Sequence, residues 1–252
     1  MIFRNELSPF ALRVVLGGQE LGIRWYGLAY IAGLALAFLA FRRAIKDGRL
    51  TPATDRALDR LFTASLLGVI LGGRLGYVLQ NPARLLRDPL FVFKVWEGGM
   101  AFFGGLVGVI LALSCAARKE RLRLLQLTDV AAPAAMLGLG LGRLANFVNA
   151  ELWGRPTGGA WGVIYPKVDA LPRHPSELYE AASHFLAFLV LTLLARRRPR
   201  VGLLSALFLV LYGTFRFVTD FWREEPLLGP LNSGQWASLV VAGSGFALAL
   251  TR

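Results

Sequence analysis

The chain has 252 residues, 55% of them hydrophobic and 17% charged, with a formal net charge of +12. A water-soluble domain carries more charge than this, and a mean hydropathy of +0.52 with apolar runs of about 20 residues points to a helical protein that crosses a membrane several times. Nucleic acid is excluded as a partner because the cations lie between hydrophobic runs rather than on one element; the single cysteine, Cys115, leaves no intrachain disulfide and no cysteine metal site, and His174 and His184 lack partners at metal-ligand spacing.

Residues 1–23 hold no continuous apolar stretch, because Arg4, Glu6, Arg13 and Glu20 interrupt it. They read as a surface segment, partly in short strands, and not as a cleavable signal. Seven spans follow, at 25–41, 62–80, 99–116, 129–149, 178–195, 201–222 and 234–251. No linker or repeat separates them. The expectation is one polytopic domain over 1–252: an all-α integral membrane protein of seven transmembrane helices with a small surface region on its outer face. Glycines recur inside the spans at Gly72-Gly73, Gly104-Gly105 and Gly138, Gly140 and Gly142. Small residues of this kind let helices approach closely in lipid. The 138–142 series lacks the strand that precedes a dinucleotide-binding loop.

Orientation follows from the loops. Arg42, Arg43, Lys46, Arg49, Arg56 and Arg60, then Arg118, Lys119, Arg121 and Arg123, then the run 196–200 and Arg252, form the richer set, on the shorter loops. That side is expected to be cytoplasmic, which puts the N-terminus outside and the C-terminus inside. A basic face of this kind also suits anionic headgroups.

Three arginines, Arg74, Arg143 and Arg216, lie inside apolar, glycine-rich stretches. A guanidinium at membrane depth costs at least a few kcal/mol, and arginine does not escape by losing its proton. Each therefore needs a carboxylate, a cage of carbonyls or a bound anion. With the orientation above, Arg74 and Arg143 fall near the outer ends of their spans, and Arg216 lies about 9 Å below the outer edge at 1.5 Å per residue. Tyr26 and Phe103 begin inward-running spans at the same level, so a polar chamber opening outward is expected.

Three segments carry the candidate chemistry. In 142–157, GRLANFVNAELWGRPT, Arg143 and Asn146 share a helix face and can hold phosphate or ester oxygens, with Glu151 after the helix placed to position an arginine. In 173–181, RHPSELYEA, Pro175 and Ser176 read as a helix start with Glu180 in its first turns, and His174 sits just before it. In 212–224, YGTFRFVTDFWRE, Tyr212, Arg216, Asp220 and Arg223 fall on one helical face, and Asp220 can neutralise either arginine.

These segments, with WYGLAY at 25–30, LGGRLGYVL at 71–79, WEGGMAF at 96–102 and SGQWAS at 233–238, resemble bacterial prolipoprotein diacylglyceryl transferases in order and spacing over nearly the whole chain. The resemblance implies a protein of the bacterial inner membrane with seven spans and a periplasmic-facing site. Its partners would be phosphatidylglycerol and the signal-peptide and lipobox segment of a prolipoprotein, with diacylglyceryl transferred to the lipobox cysteine thiol and glycerol phosphate released. No cofactor or metal is implied. The family's essential arginines match Arg143 and Arg216, and its important polar residues match Tyr26, Asn146, Glu151, Gly154 and Tyr212. Arg74, Gly104 and Gly105 join the expected substrate-binding set, and His174 joins the two arginines as an expected catalytic residue.

The chain departs from the family at four places. Phe103 stands where a histidine precedes the two glycines, Arg24 replaces a histidine before Trp25, and Ala145 and Ala150 replace glycines. Phenylalanine takes no proton. The thiol proton could instead go to His174 or to the leaving phosphate, or the arginine field could lower the thiol pKa. The alternatives are a family paralogue with another acceptor and a non-catalytic phospholipid-binding membrane protein.

Overall fold

The computed structural model describes residues 1–16, 19–94 and 98–251; Trp96 and Glu97 of the 96–102 motif, and Arg252, lie outside the described residues. In chain order the elements are β1 (Ile2–Arg4), β2 (Phe10–Leu16), β3 (Gln19–Arg24), α1 (Trp25–Lys46), α2 (Asp55–Leu79), α3 (Pro82–Arg87), a 3-10 turn (Pro89–Phe93), α4 (Phe102–Lys119), α5 (Leu124–Asn149), β4 (Gly162–Ile164), α6 (Ser176–Arg196), α7 (Leu203–Thr219), a second 3-10 turn (Asp220–Trp222), β5 (Leu227–Leu228), β6 (Leu231–Asn232) and α8 (Ser233–Leu250). Among the described residues six helices are long and apolar enough to cross a membrane: α1, α2, α5, α6, α7 with its extension to Trp222, and α8. The chain is an integral membrane protein and mostly helical. It is not purely helical: β1 pairs with β4 in parallel, while β2 with β3 and β5 with β6 form antiparallel ribbons.

Several helices begin before or run past the apolar stretches, because polar residues continue the hydrogen-bonded turns beyond the bilayer core. At the start of α2 the Thr54 hydroxyl accepts from the Ala57 amide at 3.2 Å, and Asp55 sits in the first turn, where negative charge suits the helix dipole. At the start of α8, Asn232 and Gln235 cap each other's backbone amides at 2.7 and 3.0 Å.

The chain resolves into two compact units, Met1–Ala40 with Thr128–Arg252, and Phe41–Leu127. In the first, α6 and α7 enclose an apolar core with α5, built on Ala132, Met136, Ala187, Leu191 and Leu204. Helices α7 and α8 meet through Gly213, where a Cβ would lie 2.6 Å from the Ser238 carbonyl, and Gly245, where it would lie 2.7 Å from that of Ala206. Helix α7 has no side-chain cap of its own, because its N-cap is Gly202 at φ +94°. Asp129 on α5 supplies one. Its Oδ2 accepts from the Gly202 amide at 2.6 Å and its Oδ1 from the Ser205 amide at 2.7 Å and hydroxyl at 2.6 Å.

In the second unit α2 and α4 run against each other on glycine faces. A Cβ on Gly68 would lie 2.6 Å from the Gly108 carbonyl, and one on Gly76 would lie 2.8 Å from the Gly104 Cα. Gly104 faces Gly72 and Gly76, and Gly105 faces Val69 and Gly73. Of the two glycines expected to touch substrate, Gly104 thus has a packing reason for lacking a side chain, whereas a Cβ on Gly105 would make only ordinary contact, 3.5 Å from the Val69 carbonyl. Arg74, also in the expected substrate-binding set, lies in this unit. It is buried, and its guanidinium donates to the carbonyls of Phe91, Val92 (3.0 Å), Lys94 (3.0 Å), Gly98 (2.6 Å) and Gly99 (3.2 Å). The Phe91 ring lies 4.7 Å away beneath it. This is the carbonyl-cage solution for a buried guanidinium, and it organises the connection that leads into α4.

Candidate active site

Helices α5, α6 and α7 bring three guanidiniums to one carboxylate. Glu180, one turn into α6, is 2% exposed at its side chain. Its Oε2 lies 2.9 Å from Arg143 Nε on α5, and its Oε1 lies 2.9 Å from Arg216 Nη1 on α7 and 3.0 Å from Arg223 Nη1 just beyond α7. Asp220 and Glu225 complete the cluster. Arg216 Nη2 lies 3.0 Å from Asp220 Oδ1 and 3.6 Å from Glu225 Oε1, and Arg223 Nε lies 2.8 Å from Glu225 Oε1 and 3.6 Å from Asp220 Oδ1. A buried ion pair is costly unless geometry and further hydrogen bonds hold both ions; here each carboxylate is shared by at least two cations, but Glu180 Oε2 and both Asp220 oxygens are paired by charge alone, without a hydrogen bond. The cluster leaves donors over. No described residue partners Arg143 Nη2, Arg216 Nε or Arg223 Nη2.

A polar relay adjoins Arg143. Its Nη1 donates to Asn146 Oδ1 at 3.4 Å. The Asn146 amide nitrogen donates to the Tyr26 hydroxyl and, at 3.2 Å, to Glu151 Oε2; the Tyr26 hydroxyl donates to the same Glu151 oxygen at 2.7 Å. The turn that ends α5 makes this possible. Ala150 and Leu152 adopt left-handed backbone at φ 57° and 62°, and the Glu151 amide returns to the Asn146 carbonyl at 2.9 Å. Glu151 therefore holds Tyr26 and Asn146. The carboxylate in contact with the arginines is Glu180.

Gly154 anchors the segment that follows. Its amide donates to the His174 carbonyl at 2.9 Å, its carbonyl accepts from Arg173 Nη1 at 3.1 Å, and it bridges Arg223. A Cβ there would lie 2.5 Å from the Trp222 carbonyl and 2.6 Å from that of His174. The backbone entering Arg223 is thus clamped by Gly154, and the next residue, Glu224, accepts from Arg173 at 2.5 Å. Arg173 also holds the Asp169 carboxyl below the usual carboxylate range by hydrogen bonding to it.

His174 is not brought to the arginines. Its described ring partners are the Tyr179 hydroxyl, 3.2 Å from Nδ1, and the Trp161 ring, edge-on at 5.1 Å. Burial, and secondarily the Arg155 cation, hold the imidazole below its ordinary pKa. Tyr212, a turn before Arg216, stacks on His184 at 5.8 Å and on Phe208 at 6.2 Å. Phe103 belongs to the other unit and is 72% exposed. Among the described residues no group of three His, Cys, Asp or Glu side chains could hold a metal ion.

In the sequence, Glu180 reads only as a residue in the first turns of a helix. The rule that flagged the arginines, an ionisable group within an apolar span, applies equally to Glu180. Its proximity to the capping region of α6 offered a local explanation and hid it. Glu225 carried no signal at all.

A family profile described as prolipoprotein diacylglyceryl transferase matches residues 13–251. The chain is 46% identical to the phosphatidylglycerol–prolipoprotein diacylglyceryl transferase of Bordetella bronchiseptica, over 100% of this chain and 98% of that protein. It is 46% identical to the enzyme of that name from Nitrosospira multiformis, over 97% and 86% of the two chains, and 50% identical to that of Pseudoalteromonas atlantica, over 81% and 72%.

Proposed function

This chain belongs to the prolipoprotein diacylglyceryl transferase family, and from that membership we infer that it transfers the diacylglyceryl group of phosphatidylglycerol to the lipobox cysteine thiol of prolipoproteins, releasing glycerol phosphate. The observation that carries the site assignment is the convergence of Arg143 and Arg216 on Glu180.

In the transfer, sulfur attacks the glyceryl carbon as that carbon's bond to the phosphate oxygen breaks. The electron pair of the broken bond goes to the phosphate, and the thiol proton passes to the released phosphate monoester, directly or through water. Negative charge grows on the phosphate as the bond breaks. Fixed cations in a water-poor site stabilise such charge without reorganising at the moment of reaction, and orientation of lipid and thiol supplies much of the rest. Arg143 and Arg216 take the phosphate. Asn146 and Tyr26, held by Glu151, position the headgroup or ester. Gly154 shapes the wall beside Arg223. His174 is a neighbour of this site and not its base, which fits a reaction whose product can carry the proton away.

The reading extends to topology. Helix α4 is the seventh span, the protein lies in the bacterial inner membrane, the N-terminus and the 150–175 segment face the periplasm, and the C-terminus is cytoplasmic. The basic residues of 42–60, 118–123 and 196–200 support that orientation.

The test mixes purified protein, labelled phosphatidylglycerol and a lipobox peptide and follows thioether formation together with glycerol phosphate release. Both products are expected in equal amounts, and Cys→Ser in the peptide should stop them. Absence of turnover, or turnover that survives the Ser peptide, would overturn the assignment.

A further inference from the structure

The Arg143, Arg216 and Arg223 cations are matched in number by the Glu180, Asp220 and Glu225 carboxylates. An anionic lipid phosphate entering this cluster adds negative charge to a balanced set. Its affinity depends on whether one of the resident carboxylates can yield its place.

The three carboxylates are not equally placed to do so. Glu180 is 2% exposed and pinned by three guanidiniums at 2.9, 2.9 and 3.0 Å. Asp220 is fully buried against the start of α8, where a Cβ on Gly234 would collide with its Oδ2. Glu225 is 24% exposed, lies outside any helix or strand, and holds Arg223 Nε at 2.8 Å and Arg216 Nη2 at a looser 3.6 Å. Backbone restraint stops just short of it. The Gly154 bridge fixes Arg223 and the Arg173 ion pair fixes Glu224. Glu225 can therefore leave by a side-chain rotation, with no movement of the chain around it.

We propose that Glu225 is a displaceable counter-ion: its carboxylate occupies the phosphate-facing side of Arg216 and Arg223 when the site is empty and is exchanged for the phosphodiester of the lipid. This rests on the reading of Arg143 and Arg216 as the phosphate site. The carboxylate keeps two nearby cations from repelling each other in the empty protein, and it competes with the substrate for the same donors. It sets the affinity for the anionic headgroup without taking part in bond breaking, so its removal acts on KM and leaves kcat largely alone.

The experiment measures KM and kcat for phosphatidylglycerol, and inhibition by inorganic phosphate, for the full chain in nanodiscs of phosphatidylethanolamine. Wild type, Glu225→Gln, Glu225→Ala and Arg216→Lys are compared. Loss of one partly exposed competing ion pair corresponds to about a two- to fivefold change in affinity. Both Glu225 variants should lower KM and the phosphate inhibition constant by that factor, with kcat within about twofold of wild type. An unchanged or higher KM in both variants would overturn the proposal, because a carboxylate that only orders the arginines would weaken binding when removed. Arg216→Lys reports on the underlying reading. If it abolishes phosphate inhibition while the Glu225 variants do nothing, the exchange idea fails alone. If phosphate inhibition is insensitive to Arg216, the arginine assignment fails with it.

Discussion

Arg143 and Arg216, on different helices, meet on opposite oxygens of one carboxylate: Arg143 Nε lies 2.9 Å from Glu180 Oε2 and Arg216 Nη1 lies 2.9 Å from Glu180 Oε1. Their separation is thus set by the width of a carboxyl group. Two cations held this close in a site of low dielectric form a preorganised receptor for an anion, at the cost of the third charge between them.

Replacing Glu180 with Gln leaves three guanidiniums without their common partner. Removing one side of a buried ion pair costs about 3–5 kcal/mol. Thermal unfolding should show that loss, and turnover on phosphatidylglycerol should fall at least tenfold in whatever fraction folds. Glu180→Asp keeps the charge and should recover part of both. A Gln variant with wild-type stability and rate would mean that the arginines do not depend on this carboxylate.

Arg74 and Arg143 should separate fold from function. Arg74 gives its donors to backbone carbonyls in the 91–99 segment, so Arg74→Ala should lower thermal stability and expose that segment to protease. Arg143→Ala should reduce kcat/KM by about 100-fold or more, as loss of a transition-state donor does, with a smaller effect on unfolding. Equal patterns in the two variants would contradict this division.

Two substitutions four residues apart should act in opposite directions. Ala150 sits at φ 57°, where a Cβ costs about 1 kcal/mol or more, so Ala150→Gly should stabilise the protein by about 1 kcal/mol. Gly154→Ala would put a methyl 2.5 Å from the Trp222 carbonyl. Shifting backbone to admit it should cost about 1–3 kcal/mol and lower activity by disturbing the bridged segment that carries Arg223. Melting temperatures of the two variants provide the check.

Asp129 caps α7 from α5, which ties together the helices that bear Arg216 and Arg143. Asp129→Ala strands two amides at the start of α7 and should cost about 2–3 kcal/mol. Asp129→Asn keeps acceptor capacity and should lose less. Unfolding midpoints in one detergent at fixed protein concentration decide the order, and an Ala variant as stable as Asn would remove the cap from the account.

Because the folded His174 has a pKa below that of the free imidazole, the unfolded chain takes up a proton first as pH falls. Stability from this residue is present above about pH 6.5 and is lost as pH drops through the folded pKa. The melting temperature should fall between pH 7.5 and 5.5 by more in the wild type than in His174→Gln. Identical pH slopes would show that His174 is not the titrating group.

Six of the seven expected spans fall on helices that are, among the described residues, long and apolar enough to cross a membrane; they were legible because each rests on a local property, a run of apolar residues. The arginines were legible too, since a guanidinium amid leucines and glycines is out of place wherever the chain goes. How each arginine is satisfied was decided only by the tertiary structure. Arg74 met carbonyls from the segment after its own helix, whereas Arg143 and Arg216 met a glutamate from a different helix. Capping of α7 by Asp129 and the pairing of Tyr26 with Glu151 likewise join groups far apart in the chain. Hydropathy and spacing describe what a segment needs. Which distant segment meets the need depends on helix rotation and on close approach at glycines, and these are fixed only when the helices pack.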